Sequence, residues 1–147
     1  MGVRWEYRGP QNAPISEADW DADTFIQFHP EISETRPLDG IGLNGKERTL
    51  HTFQLPEGKL QELTEKVLWE AFEAAFLTAI ATGSTTMVVT LPTWVPVAIL
   101  VLVLGNIARK AIWKKHPEAK LMHVRLVCPN FEVFEAVNTY FQGTWEL

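Results

Sequence analysis

Thr85-Thr86-Met87-Val88-Val89-Thr90-Leu91 is a continuous, β-branched run, and Pro92-Thr93-Trp94-Val95-Pro96 breaks it at once. A run of that length and composition predicts a central parallel strand covered on both faces. Gly83 stands just before it, at the C-terminal end of a helix predicted over about 59–82. Along that helix Leu60, Leu63, Val67, Leu68, Ala71, Ala75 and Ala79 recur at three- and four-residue steps, an apolar stripe. Behind the run, Val97 to Lys115 predicts a second helix, ended by His116-Pro117. Leu121 to Cys128 predicts another apolar strand, and Pro129-Asn130 opens a last helix, Phe131 to Tyr140, with Val133, Phe134, Val137 and Phe141 facing inward. Helix, strand, helix, strand, helix with short loops is the pattern of an α/β domain with crossover connections. Ligands of that class sit at the C-terminal ends of the strands.

The N-terminal half is less regular. Residues 1–23 are polar, rich in turn formers and acidic at Asp19, Asp21 and Asp23. They predict an irregular arm, with Trp5, Tyr7 and Trp20 as anchors onto a single domain over 24–147. Thr24 to Phe28 predicts a short strand stopped by His29-Pro30, followed by a loop containing Pro37 and Gly40. Ile41 to Leu43 and Arg48 to Phe53 then flank Asn44-Gly45, the strongest hairpin signal in the chain. The expected architecture is α/β: a mixed sheet flanked by helices, with an antiparallel hairpin in the N-terminal half.

Bulk properties narrow the function classes. With 147 residues the chain is sized for one domain, and a net charge of −5 gives no global basic field for nucleic acid. The cluster Arg109, Lys110, Lys114 and Lys115 lies on the polar side of its predicted helix and reads as a solvated face. Cys128 is the sole cysteine, so no intrachain disulfide can form, and its place in an apolar strand predicts a buried, inert thiol. That usage fits a reducing compartment, and the N-terminus lacks the apolar region of a signal peptide, so a cytoplasmic location is expected. Met87 to Gly105 carries no charge and is followed by the basic cluster, as a membrane span would be. Pro92 and Pro96 split it, however, and Val97 to Leu104 is too short to span by itself. A membrane anchor through residues 87–105 is therefore the third reading of the chain, after the two developed below.

Catalytic patterns are sparse. His29, His51, His116 and His123 have no metal-site spacing, and no Gly-x-Ser-x-Gly or Cys-x-x-Cys occurs. Glu62, Glu65, Glu70 and Glu73 lie off the apolar stripe and read as a solvated helix face, and the arm acids as a solvating run. Gly40-Ile41-Gly42 precedes a hairpin strand instead of opening a helix, so it lacks the N-terminus that makes such loops bind anions. Catalytic residues, metal and cofactor are all predicted to be none. Any ligand would meet Thr90, Thr93 and Trp94, at the end of the central strand. Val97 to Leu104 is apolar all round and must be covered, by the arm or by a partner. The partner reading predicts a self-association or protein-binding interface through Trp94, Val97, Leu100, Val101 and Leu104.

In order, Glu65 to Gly83, Thr85 to Pro92, Val97 to His116, Lys115 to Cys128 and Asn130 to Phe141 resemble the C-terminal half of a macro domain. The resemblance covers a little over half of the chain, by pattern more than by diagnostic motif. It implies a three-layer α/β arrangement and a family that binds ADP-ribose, some members of which hydrolyse ADP-ribosyl bonds. The chain has no counterpart of the family's adenine-binding acid, its early Asn-Ala-Ala-Asn segment or its glycine-rich diphosphate loop. Thr93-Trp94-Val95-Pro96 holds the place of that loop, where Pro96 has no N–H to offer a diphosphate and Trp94 fills space. The resemblance thus implies a degenerate, pseudoenzyme-like module that self-associates or binds a protein partner. An ADP-ribose- or nucleotide-binding domain, or a hydrolase of ADP-ribosyl groups, is the alternative.

Overall fold

The computed structural model describes residues 2–7, 22–57, 65–96, 98–100, 123–128, 130–141 and 145–146. Strands β1 (Gly2–Tyr7), β2 (Thr24–His29), β3 (Glu34–Ile41), β4 (Glu47–Gln54), β5 (Thr86–Thr90), β6 (His123–Cys128) and β7 (Trp145–Glu146) are accompanied by helices α1 (Glu65–Ala81) and α2 (Phe131–Phe141). The strands form one sheet in the order β3-β4-β2-β5-β6-β1-β7. The inner strands run parallel, and β3 and β7 add antiparallel edges. This is the mixed α/β arrangement that the sequence predicts.

Both faces of the sheet centre are buried. Ile26 and Phe28 of β2, Met87 and Val89 of β5, and Leu126 and Cys128 of β6 share one core with Leu68, Phe72, Ala75, Phe76 and Ala79 of α1. Phe28 and Phe72 meet with ring centroids 5.0 Å apart. The alternate residues Phe25, Leu50, Val88 and Val127 form a second core on the opposite face. Period-two alternation of a strand produces both sets from the same short runs, as a three-layer arrangement requires. Cys128 is buried as expected.

Helix α1 ends as its sequence dictates. Gly83 takes φ +70°, its N–H donates to the Ile80 carbonyl, and the Ser84 N–H donates to the Ala79 carbonyl. That is the Schellman pattern, and glycine is the residue that adopts its left-handed position without a Cβ clash. At the start of α2, the Asn130 side chain accepts from the Val133 N–H at 2.9 Å, an N-cap.

Three expectations are corrected. Residues 2–7, read as part of an irregular arm, form β1 between β6 and β7. The signal was there: Val3, Trp5 and Tyr7 alternate with Arg4 and Glu6, the period of a strand. Residues 8–21, with Trp20, lie outside the described residues, as does any cover they give. The stretch with Pro37 and Gly40, read as a loop, is β3, exposed along most of its length. Pro37 is tolerated there because β3 is an edge strand, where a missing N–H breaks no inner ladder. The hairpin itself is present, but its loop spans residues 42–46, longer than a two-residue turn at Asn44-Gly45. The Gly42 N–H donates to the Lys46 carbonyl, and Gly45 sits at φ +77°.

Candidate functional site

The strand order places a switch point between β2 and β5. The chain leaves β2 toward β3 and β4 on one side, and leaves β5 toward β6 on the other. In open α/β sheets the crevice at such a point, beyond the C-terminal strand ends, is where ligands bind. Here it is flanked by His29 to Ser33 after β2 and by Leu91 to Pro96 after β5.

The Leu91 to Pro96 loop is tied down. Leu91 and Val95 are 2% and 5% exposed, and Pro92 is also buried. The Leu91 N–H donates to the Val127 carbonyl at 2.9 Å, which prolongs the β5–β6 ladder. The Trp94 indole N–H donates to the Leu55 carbonyl at 3.2 Å, and its half-buried ring packs with the α1-side core. Leu55 in turn donates its N–H to the His29 carbonyl at 2.9 Å. This chain of bonds carries the loop across the end of β2 to the end of β4. Opposite, His29 Nδ1 accepts from the N–H groups of Glu31 and Ile32 at 3.0 and 3.1 Å, closing its own loop.

The structure separates the residues that the sequence grouped as ligand-binding. Thr90 has the parity of Val88 and lies on the face opposite α1, whereas Trp94 packs on the α1 side; Thr93 is exposed. Thr90 instead continues a polar row that the sequence reading missed. Gln27 Nε2 donates to Thr52 Oγ1 at 2.9 Å, Gln27 and Thr52 are in register, and Ile26 faces Val89, so Gln27 stands beside Thr90. Amide and hydroxyl groups of this kind can bind a polar ligand, but supply no acid or base for proton transfer. Among the described residues no group of three or more His, Cys, Asp or Glu side chains could hold a metal ion. Of the expected interface, Leu100 is fully buried in the α1-side core, at the helical start 98–100. Val97, Val101 and Leu104 lie outside the described residues.

The opposite end of the sheet holds a polar group with four hydrogen-bond donors around it. Asp23, read as part of a solvating run, is 2% exposed immediately before β2. Its Oδ2 accepts from the Thr85 N–H at 2.7 Å, the Thr85 hydroxyl at 2.9 Å and the Thr86 N–H at 3.3 Å, and its Oδ1 from the Asn44 N–H at 3.1 Å. Burial alone would push this carboxyl up; the Thr85 backbone and hydroxyl, then the Asn44 and Thr86 amides, outweigh it and hold the group below its ordinary 3.8. The knot joins β2, the hairpin loop and the α1–β5 turn. Gly42 completes it, because a Cβ there would collide with the Asp23 carboxylate. Lys46 Nζ reaches the Thr82 carbonyl at 3.1 Å, placing a cation at the α1 C-terminus. Arg48, 3% exposed, lies 5.0 Å from the Phe25 ring centroid and donates to the Ala22 and Asp39 carbonyls. All of this is bracing at the end where α/β ligands do not bind.

His51 is also buried, with Nδ1 3.0 Å from Thr35 Oγ1 and Nε2 3.0 Å from Thr49 Oγ1, and desolvation lowers its pKa from 6.5. The expected membrane stretch opens with Met87 to Thr90 inside β5, and no helix among the described residues is long and apolar enough to cross a membrane.

No family model and no curated protein matches this chain. Among solved structures, a tomato leucine aminopeptidase, in a lysine-to-glutamate mutant form, superposes with a TM-score of 0.50 and 8% sequence identity. The match covers 92% of this chain and 34% of that one, so the chain spans about a third of the aminopeptidase's length. At this identity the likeness is one of fold.

Proposed function

We propose that this chain is a non-catalytic interaction module built on a degenerate macro-like α/β domain, which self-associates or binds a protein partner. One observation carries the reading: the crevice that should receive a ligand is spanned by the chain's own residues. The Trp94 indole is bonded to the Leu55 carbonyl, and Pro92 and Val95 of the same loop are buried. A diphosphate needs converging backbone N–H groups, and this loop offers prolines and a pinned tryptophan instead. At the same end of the sheet, Ile32 in the loop after β2 is 46% exposed, and Phe131 at the start of α2 is 57% exposed, with Phe134 at 6.2 Å. Exposed apolar residues at this end of the sheet suit a protein surface better than a nucleotide. The single buried thiol supports placing the module in the cytoplasm.

The alternative, ADP-ribose or a related nucleotide, draws support from the row of Gln27, Thr52 and Thr90, which reaches the C-terminal end of β5 at Thr90. Sedimentation velocity over a rising concentration series tests self-association. A sedimentation coefficient that climbs toward a dimer supports it, and one that stays at the monomer value throughout removes it.

A further inference from the structure

Among the described residues the sheet ends at β3 in an exposed edge. Strand β3 lies beside β4, and Glu34, Thr35, Arg36 and Pro37 are all exposed. Which of its backbone groups face outward follows from the ladder on the far side of β4. The Thr49 N–H donates to the Asp23 carbonyl and the Leu55 N–H to the His29 carbonyl, so odd-numbered residues of β4 turn their polar groups toward β2. The even-numbered ones therefore turn toward β3. Glu34 pairs with Thr52 and Arg36 with Leu50, so these two spend their backbone groups on β4. Thr35 and Pro37, opposite His51 and Thr49, aim theirs at the open edge.

Resting on the self-association reading above, we propose that two copies of this chain join through β3, antiparallel about a two-fold axis at Thr35, to make one continuous sheet. In that register the Thr35 N–H of each copy donates to the Thr35 carbonyl of the other, and the Ser33 N–H to the opposite Pro37 carbonyl. Side chains then match without further adjustment. Glu34 of each copy faces Arg36 of the other, and Ile32 faces Leu38, all on one face of the sheet. Directly opposite side chains are the contacts that stabilise antiparallel strands. Farther out Glu31 would meet Asp39, and Pro37 has no N–H to extend the ladder. The paired segment therefore stops at Ser33 and Pro37, before the irregular register between Pro37 and Ile41. A pairing this short gives a weak dimer, with association between micromolar and millimolar concentration.

The test is a charge exchange read by sedimentation equilibrium on the whole chain. Glu34→Arg and Arg36→Glu each place like charges opposite one another at both symmetric positions. Each is expected to raise the dimer dissociation constant by roughly tenfold, given the usual energies of cross-strand pairs. The double variant Glu34→Arg with Arg36→Glu restores opposite charges in reversed order, and is expected to return the wild-type constant. Both positions are exposed, so circular dichroism should show the fold of every variant unchanged. A wild-type dimer that neither single exchange weakens overturns the β3 pairing and leaves self-association standing elsewhere on the surface. A wild-type chain that stays monomeric at millimolar concentration overturns both.

Discussion

Replacing Asp23 by alanine removes the acceptor for the Thr85, Thr86 and Asn44 backbone N–H groups and for the Thr85 hydroxyl. A buried donor left without a partner costs about 1–3 kcal/mol, more when its acceptor was charged. Three backbone donors, at the low end because the vacated space admits water, give about 3–5 kcal/mol. For a chain of this length that lowers the thermal midpoint by on the order of 10 °C. Asp23→Asn should cost less, about 1–2 kcal/mol. Its one oxygen can occupy the Oδ2 position, which takes three of the four bonds, leaving the amide to oppose the Asn44 N–H. Thr85→Val, which deletes one hydroxyl donor, should cost about 1 kcal/mol. Urea unfolding followed by tryptophan fluorescence resolves this order, since the chain carries six tryptophans. The pH dependence has a fixed sign. The folded carboxyl titrates below 3.8, so its stabilisation is present above that value and is lost as pH falls through the folded pKa. Asp23→Ala lacks that acid limb. If Asp23→Ala unfolds within 0.5 kcal/mol of wild type, below the ~1 kcal/mol cost of even one lost bond, the knot is not holding the sheet base together.

Three further outcomes are expected. His51 has a folded pKa below 6.5, so the unfolded chain binds protons first; stability should be full above that pH and decline as pH falls beneath it, a limb that His51→Gln flattens in urea titrations at stepped pH. Trp94→Phe keeps the ring packing but deletes the donor to Leu55, at a cost of about 1 kcal/mol, whereas Trp94→Ala should cost about 3 kcal/mol by thermal denaturation. Gly83→Ala forces a Cβ into φ +70° and should lose roughly 1–2 kcal/mol, read as a lower urea midpoint at unchanged slope.

Where the sequence was legible, one period dominated. The run at Thr86–Thr90 is continuous and β-branched, His123–Cys128 is mostly apolar, and Gly83 and Asn130 mark the end of α1 and the start of α2 by local chemistry, so these boundaries stand close to the predicted ones. The predicted start of the first helix, over 59–64, lies outside the described residues. β1 escaped because a lone alternating hexapeptide needs a partner, and its partner β6 lies far along the chain. β3 escaped because an exposed edge strand has little apolar pattern to show, and Pro37 argued for a loop. The site divides the same way. The missing amides of Pro92 and Pro96 were readable, since they are properties of the residues themselves, whereas the bond from Trp94 to the Leu55 carbonyl depends on the fold. The split between Thr90 and Trp94 was not readable, because it depends on which sheet face each side chain takes. Asp23 was misread for a related reason: its partners Asn44, Thr85 and Thr86 are brought to it only by the fold.

In the proposed module the loop from Leu91 to Pro96, pinned through Trp94 to the Leu55 carbonyl, closes the crevice beyond β2 and β5 to a nucleotide. Calorimetric titration of the whole chain with ADP-ribose addresses this closure most directly. The closed loop predicts no saturable heat at millimolar ligand. A saturable heat in the micromolar range, abolished by Thr90→Val, would contradict it and assign the crevice to a nucleotide.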